Sequence, residues 1–330
     1  MKPLLSICIA TYNRAAFIGA TLDSIIPQLT DQVEIVVVDG ASTDNTEEIM
    51  HHYIKRCDSL RYIRLPVKGG VDQDYCKAVD FASGKMCWLF PDDDLIGVGA
   101  ISTLLSEIHK GYSLIIVNAK AMNVDFSRVL SKNLLRIDSN KIFKKDEFDQ
   151  LFQLVIFYMS FIGCVVIERD LWLKREKERY FGSQFIHLGV IFQSPLPSPV
   201  LVIAEPFITI RYGNAQWAHQ FFEIWMYKWP NLLFSFTSIS EHIRQDFQIQ
   251  EPWKNLKVII LYRAKGAYSK KEYKKWFMSE KTPFWGRAVL LLVALIPYVL
   301  INRIILLYYK LFKKDELLTI YDLENKIYIS

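Results

Sequence analysis

Three consecutive carboxylates, Asp92-Asp93-Asp94, follow an apolar run over residues 86–90. Like charges set side by side after a buried segment repel one another, and a counter-ion relieves the repulsion. Mg²⁺ or Mn²⁺ takes oxygen ligands from one or two carboxylates and leaves its other positions to phosphate oxygens and water. A cation bridging a nucleotide diphosphate is the chemistry this cluster suits; the plainer reading is three Asp that cap a helix or face solvent. Asp39 closes a second apolar run, residues 34–38. Its carboxylate can accept from the N3 proton of uracil or the amino group of cytosine, but not from a ring nitrogen lacking hydrogen. Asp39-Gly40 also reads as an ordinary turn. Thr11-Tyr12-Asn13 ends a third such run, residues 4–10.

The elements that must position these groups alternate. Residues 4–10, 34–38, 61–65, 86–90 and 114–118 read as short buried strands. Between them, Phe17, Ile18, Leu22, Ile25, Ile26 and Leu29 fall at helical spacing, and Asp44 with Glu47 makes a capping-box start for the next helix. Strands alternating with helices predict an α/β, doubly wound, mostly parallel sheet. In such sheets ligands bind at the carboxyl ends of the strands, where Thr11, Asp39 and Asp92–Asp94 stand. No Gly-x-Gly-x-x-Gly follows the first strand and no Gly-Lys-Ser/Thr loop occurs, which disfavours hydride-transfer Rossmann and P-loop enzymes. Beyond residue 120 the alternation weakens, with strands expected at 164–167 and 203–211 and an aromatic helical region at 215–243.

With 330 residues, 51% apolar and 14% aromatic, the chain is globular and rich in apolar side chains. Its net charge of +5 is concentrated: residues 251–287 carry ten basic residues, Lys281 and Arg287 among them, against Glu251, Glu272 and Glu280. The five Cys include no Cys-x-x-Cys and read as buried reduced thiols in a reducing compartment. Met1-Lys2-Pro3 opens directly onto a strand, without the pattern of a secretory signal peptide.

Residues 6–14 (Ser-Ile-Cys-Ile-Ala-Thr-Tyr-Asn-Arg), Val38-Asp39-Gly40-Ala41-Ser42-Thr43-Asp44, and Ala82-Ser83-Gly84 before Leu89-Phe90-Pro91-Asp92-Asp93-Asp94 resemble family 2 of the inverting glycosyltransferases, which have the GT-A fold. The resemblance implies a nucleotide-sugar donor, with Thr11 and Asp39 at the base, Tyr12 among the donor-binding residues, and the acidic cluster at ribose and metal. It also implies Mn²⁺- or Mg²⁺-dependent transfer with inversion. Gly70-Val71-Asp72, residues 180–187 and Arg211-Tyr212-Gly213-Asn214 are most similar to abequosyltransferases and related O-antigen enzymes of lipopolysaccharide synthesis. That similarity implies a CDP-activated 3,6-dideoxyhexose and a lipid-linked (undecaprenyl pyrophosphate) oligosaccharide acceptor, at the cytoplasmic face of a bacterial inner membrane. The alternatives are a UDP-sugar enzyme for capsule or exopolysaccharide, and an inactive sugar-binding scaffold; a nucleotidyltransferase is disfavoured.

Two departures bear on individual residues. Many members have Asp-x-Asp-Asp, whereas Pro91 stands first here, so Asp93 or Asp94 is the expected metal ligand, Asp94 preferred, with Asp92 and Asp93 toward the donor. Many members place Glu-Asp where this chain has Ile186-His187. His187 is therefore the expected general base, since imidazole titrates near neutrality and can take a proton from an acceptor hydroxyl; its plainer reading is a satisfied core residue. Arg211 is expected at the departing diphosphate, or in a surface salt bridge, and Asp72 at base or ribose.

The tail completes a three-part expectation: a GT-A domain over 1–214, divided near 120 into donor and acceptor halves, a helical region over 215–283, and a membrane-associating tail over 284–330. Residues 288–301 are apolar with Pro297 inside; Asn302-Arg303 interrupts before 304–309 resume. A span needs about 20 apolar residues, so an in-plane or re-entrant pair of helices on an anionic membrane surface is favoured over a clean span. Nucleic acid is the poorer partner for a basic segment that leads into so apolar a stretch. A buried core or dimer helix is the plainer reading.

Overall fold

The computed structural model describes residues 2–247, 254–278 and 282–328. Met1, Glu251, Glu280 and Lys281, named above, lie outside the described residues. The chain forms two compact units, Met1–Arg211 with Phe236–Ile243, and Tyr212–Ser235 with Arg244–Ser330.

The first unit is built on strands β1 (Leu5–Thr11), β2 (Val33–Asp39), β3 (Leu60–Arg64), β4 (Met86–Phe90), β5 (Leu95–Ile96), β6 (Leu114–Asn123), β7 (Val129–Ser131), β8 (Lys141–Phe143), β9 (Val165–Glu168) and β10 (Val200–Tyr212). Their order is β3-β2-β1-β4-β9-β6-β10-β5, with β7 on β6 and β8 on β10. Ile7, Cys8, Ile9, Val36, Val37, Val38 and Leu89 have no exposed surface, as expected of β-rich runs covered on both faces. Helices α1 (Ile18–Ile25), α2 (Thr46–Ile54) and α3 (Val71–Phe81) carry the chain between the first four strands, whose pairings are parallel. The strand–helix alternation stops after α4 (Ala100–Ile108); α5 (Phe148–Val155) and α6 (Arg169–Lys174) precede and follow β9 in the chain, and β9 pairs antiparallel with both β4 and β6. Parallel and antiparallel pairs therefore share one sheet, which is mixed. β5, β7 and β8 run two or three residues each, too short to show a period in the sequence. The cysteines at 8, 57, 76, 87 and 164 are free and buried.

The start of α2 differs from the capping box expected at Asp44 and Glu47. The helix begins at Thr46; Asp44 accepts from the Thr46 amide and hydroxyl, while Glu47 pairs with Arg64 at 3.3 Å. At the far end of the sheet the Ala82-Ser83-Gly84 motif is a latch. Glu34 Oε1 accepts from Ser6, the Ser83 amide and the Ser83 hydroxyl, and Gly84 donates to Ser6 Oγ. A Cβ at Gly84 would fall 2.8 Å from the Ser6 amide nitrogen, so only glycine fits.

The second unit takes in the aromatic region up to Ser235 and the apolar tail. Helix Leu256–Lys265 lies beside helices Phe284–Leu295, Tyr298–Phe312 and Leu317–Asn325. Phe222, Ile259, Tyr268, Phe277 and Leu290 share one core cluster, and Ala264, Ile301 and Leu323 another. Trp217, Phe221 and Trp225 pack with Tyr262 and Tyr328. Lys265 and Asp322 form a buried ion pair at 2.7 Å. Among the described residues no single helix is long and apolar enough to cross a membrane, but Phe284–Leu295 and Tyr298–Phe312 form one apolar pair bent by 90°. Arg263 donates to the Ile296 carbonyl at the bend, and Trp285, Leu292, Leu300, Leu307 and Phe312 are exposed.

Candidate functional site

Strand register brings the expected residues to one edge. Thr11 pairs with Asp39 across β1 and β2, and Phe90 pairs with Ile9 across β4 and β1, so Asp92 follows on beside Thr11. Order 3-2-1-4 makes β1 the point at which the strand order reverses, where open α/β sheets bind ligands. The two loops are tied together. Gly40 donates to the Thr11 carbonyl, Asn13 to Ser42 Oγ, Thr43 to Asn13 Oδ1, and the Arg14 amide to Thr46 Oγ1. Asn13 and Ala41 hold φ of 54° and 63°, left-handed conformations that these bonds stabilise.

Asp39 has no exposed surface; its Oδ1 accepts from the Ser42 amide at 2.8 Å and its Oδ2 from the Tyr62 hydroxyl at 2.5 Å. Burial, then the bond to Asp39, raises the Tyr62 pKa and keeps the phenol protonated as a donor. Asp74 stands over the same turn: a Cβ on Gly40 would lie 2.7 Å from one Asp74 oxygen, and a Cβ on Gly69 2.8 Å from the other. Burial raises Asp74 to about 6, with the Asp39 charge adding and the Gly69 amide and Lys68 opposing. Lys68 lies 3.5 Å above the Tyr12 ring. The structure thus brings Asp74 over the Asp39-Gly40 turn, whereas Asp72, two residues earlier on α3, accepts from the Gln184 and Ile186 amides and holds the loop that starts α7 (Ile186–Phe192). Tyr62, Lys68 and Asp74 were not anticipated. The signal for Asp74 was the pair of glycines, Gly40 and Gly69, that its side chain requires.

Asp92, Asp93 and Asp94 are all buried, at 7%, 9% and 2% exposure. Burial, then the Asp93 charge, pushes Asp92 up to about 7, against the pull of Arg14 and the Thr11 hydroxyl. The same two causes raise Asp94 well above the carboxylate range, against the Arg211 amide and its charge. Arg14 reaches Asp92 Oδ1 and Asp93 Oδ2 at 3.3 Å each. Arg211 donates its amide to Asp94 Oδ1, Nε to the Asp93 carbonyl and Nη1 to the Val124 carbonyl, with its guanidinium 4.1 Å from the Phe126 ring centre. Arg211 therefore joins the cluster through two hydrogen bonds, with a third to Val124, rather than a surface salt bridge. Crowded, buried carboxylate oxygens are the hard donors that Mg²⁺ and Mn²⁺ prefer. Among the described residues no set of three or more His, Cys, Asp or Glu side chains forms an all-protein cage, so phosphate or water oxygens would complete the shell.

His187 is 1% exposed, and its Nε2 lies 2.7 Å from the Met159 carbonyl. A carbonyl only accepts, so Nε2 carries the proton and Nδ1 the lone pair. Nδ1 is buried without a hydrogen-bond partner, and burial lowers the ring to about 4. His187 is therefore neutral in this structure and shielded from solvent, and no bond joins it to the acidic cluster.

Residues 6–167 match glycosyl transferase family 2. The chain is 24% identical over 225 residues to abequosyltransferase RfbV of Salmonella typhimurium, covering 64% of this chain and 67% of that protein. It is 30% identical over 200 residues to the GalNAc(5)-diNAcBac-PP-undecaprenol beta-1,3-glucosyltransferase of Campylobacter jejuni, covering 56% and 62%. The matches span about two thirds of these relatives or less. Among solved structures, S. aureus TarS 1-349 in complex with UDP-GlcNAc matches with a TM-score of 0.58 at 16% identity, over 98% of this chain and 90% of that one.

Proposed function

The chain carries a glycosyl transferase family 2 domain over residues 6–167, and on that premise we propose that it moves one sugar from a nucleotide diphosphate to a lipid-linked oligosaccharide in O-antigen or other surface polysaccharide synthesis. The donor we favour is a CDP-3,6-dideoxyhexose such as CDP-abequose. One observation carries the reading: Thr11, Asp39 and Asp92 stand together at the carboxyl ends of three adjacent strands. Asp39, aimed by Tyr62, accepts from the pyrimidine, with Tyr12 and Thr11 beside it. Asp92 and Asp93 face the ribose, and Arg211 faces the diphosphate. Asp94 and Asp93 are the residues that would hold Mn²⁺ or Mg²⁺, which when bound supplies positive charge to the departing diphosphate.

Transfer is a single displacement. The acceptor oxygen forms a bond to the anomeric carbon as the bond to the diphosphate oxygen breaks, and attack from the opposite face inverts the configuration. The acceptor proton is assigned to His187 Nδ1. A buried polar atom without a partner costs about 1–3 kcal/mol, and such an atom calls for a functional explanation. Asp72 serves this step indirectly, by fixing the turn before α7.

The bent helix pair is proposed to lie in the plane of the cytoplasmic face of the membrane, with Trp285, Leu292, Leu300 and Leu307 in the acyl region. A UDP-sugar used for capsule or exopolysaccharide is the second reading, because uracil N3–H presents the same kind of donor to Asp39. The test is transfer and donor hydrolysis with a panel of CDP-, UDP- and GDP-sugars, in Mn²⁺ and in chelator. Turnover confined to CDP-sugars supports the first reading and turnover with UDP-sugars the second. No turnover with any donor, in a protein that still binds nucleotide, leaves the inactive scaffold.

A further inference from the structure

Arg14 sits where a cation for the acidic cluster would compete with it. Its backbone is held on both sides: the amide donates to Thr46 Oγ1, and the carbonyl accepts from Phe17 and Ile18 at the start of α1. From that base the guanidinium spans two carboxylates, with Nε 3.3 Å from Asp92 Oδ1 and Nη2 3.3 Å from Asp93 Oδ2, and the side chain is 12% exposed. The second guanidinium, Arg211, is held by the carbonyls of Asp93 and Val124. Both arginines flank the Phe17 ring, at 5.5 and 5.1 Å from its centre. Arginine stays charged at any working pH, so Arg14 is a permanent positive charge beside the cluster.

We infer that Arg14 is the built-in counter-cation of the Asp92–Asp93 pair and excludes a free divalent ion from the cluster until a nucleotide diphosphate arrives. A divalent ion and a guanidinium drawn to the same carboxylate oxygens repel at short range, in a site where burial weakens screening. A diphosphate brings its own oxygens for the ion and offers the guanidinium a new anion, which relieves the conflict. The inference rests on the reading that this cluster takes a divalent cation.

The test is Mn²⁺ binding, followed by the electron paramagnetic resonance of free Mn²⁺, to the full-length protein with and without CDP or UDP. Wild type binds Mn²⁺ weakly alone and more tightly with nucleotide. Arg14→Met, checked by circular dichroism, binds Mn²⁺ alone at least about tenfold more tightly than wild type, and nucleotide adds less. Arg14→Lys keeps the charge but cannot bridge two carboxylates, so it falls between them; it carries the test if the Met variant does not fold. Unchanged or weaker Mn²⁺ binding in these variants, with wild type binding normally in the presence of nucleotide, overturns the role of Arg14 alone. No Mn²⁺ binding by wild type with either nucleotide overturns the cation reading and the role of Arg14 with it.

Discussion

The Tyr62 hydroxyl donates to Asp39 Oδ2 across 2.5 Å, from a neighbouring strand whose register sets Arg64 opposite Asp39. Tyr62 thus aims a carboxylate assigned to the nucleobase without reaching the base itself. Tyr62→Phe leaves the ring and removes the donor. A hydrogen bond to a charged group is worth about 1.5–3 kcal/mol, so donor KM should rise on the order of tenfold while kcat changes little. A kcat effect as large as the KM effect would argue against an aiming role.

Asp74, raised to about 6 chiefly by burial, makes stability depend on pH. Between the ordinary carboxylate range and pH 6 the folded protein binds more protons than the unfolded chain, so stability falls as pH rises through that window. Asp74→Asn removes this dependence. Relative to wild type it should gain on the order of 1–2 kcal/mol between pH 4.5 and 7.5. Urea midpoints at the two pH values decide it, and parallel curves for the two proteins exclude the effect.

The contrast between Asp72 and Asp74 shows what was legible in the sequence. The parallel half was readable because each strand there is an apolar run ending in a polar residue, so Thr11, Asp39 and Asp92 could be set at one edge from spacing alone. Which of two carboxylates on α3 turns toward Asp39 depends on helix rotation and on the space left by Gly40 and Gly69, which no spacing reveals. The antiparallel half was harder because β5, β7 and β8 are too short to show a period. The burial of His187 was hidden in a segment where every residue of α7 is apolar, glycine or histidine.

His187 supports two separable measurements. As the proposed base, its replacement by Ala should lower kcat by about 10²–10⁴ and leave donor affinity within about twofold. As a buried neutral ring with a pKa lowered to about 4, it should also shape stability. Below pH 6.5 the unfolded chain takes up the proton first, so this contribution is lost as pH falls from 6.5 toward 4. His187→Gln should flatten that limb of the stability profile. A flattened limb with transfer intact assigns His187 to packing and rules it out as the base.

Membrane contact is tested on the surface of the tail, because Leu290, Val293 and Ala294 belong to the core of the second unit and deletion would open it. Changing Trp285, Leu292, Leu300 and Leu307 together to Ser alters only exposed side chains. Partitioning onto phosphatidylglycerol-containing vesicles should fall at least about a hundredfold, with the circular dichroism unchanged. Equal partitioning by the two proteins would remove the tail from the interface.

The right-angled turn between Phe284–Leu295 and Tyr298–Phe312 would also set the geometry of the proposed insertion. In the proposed placement both arms occupy a single leaflet, so they act as a wedge, widening that leaflet while the opposite one keeps its area. Such a wedge seats with least strain where lipid heads are already spread apart, on small vesicles or beneath bulky headgroups. In that placement the bend that keeps either arm from crossing the bilayer would make the protein responsive to membrane curvature.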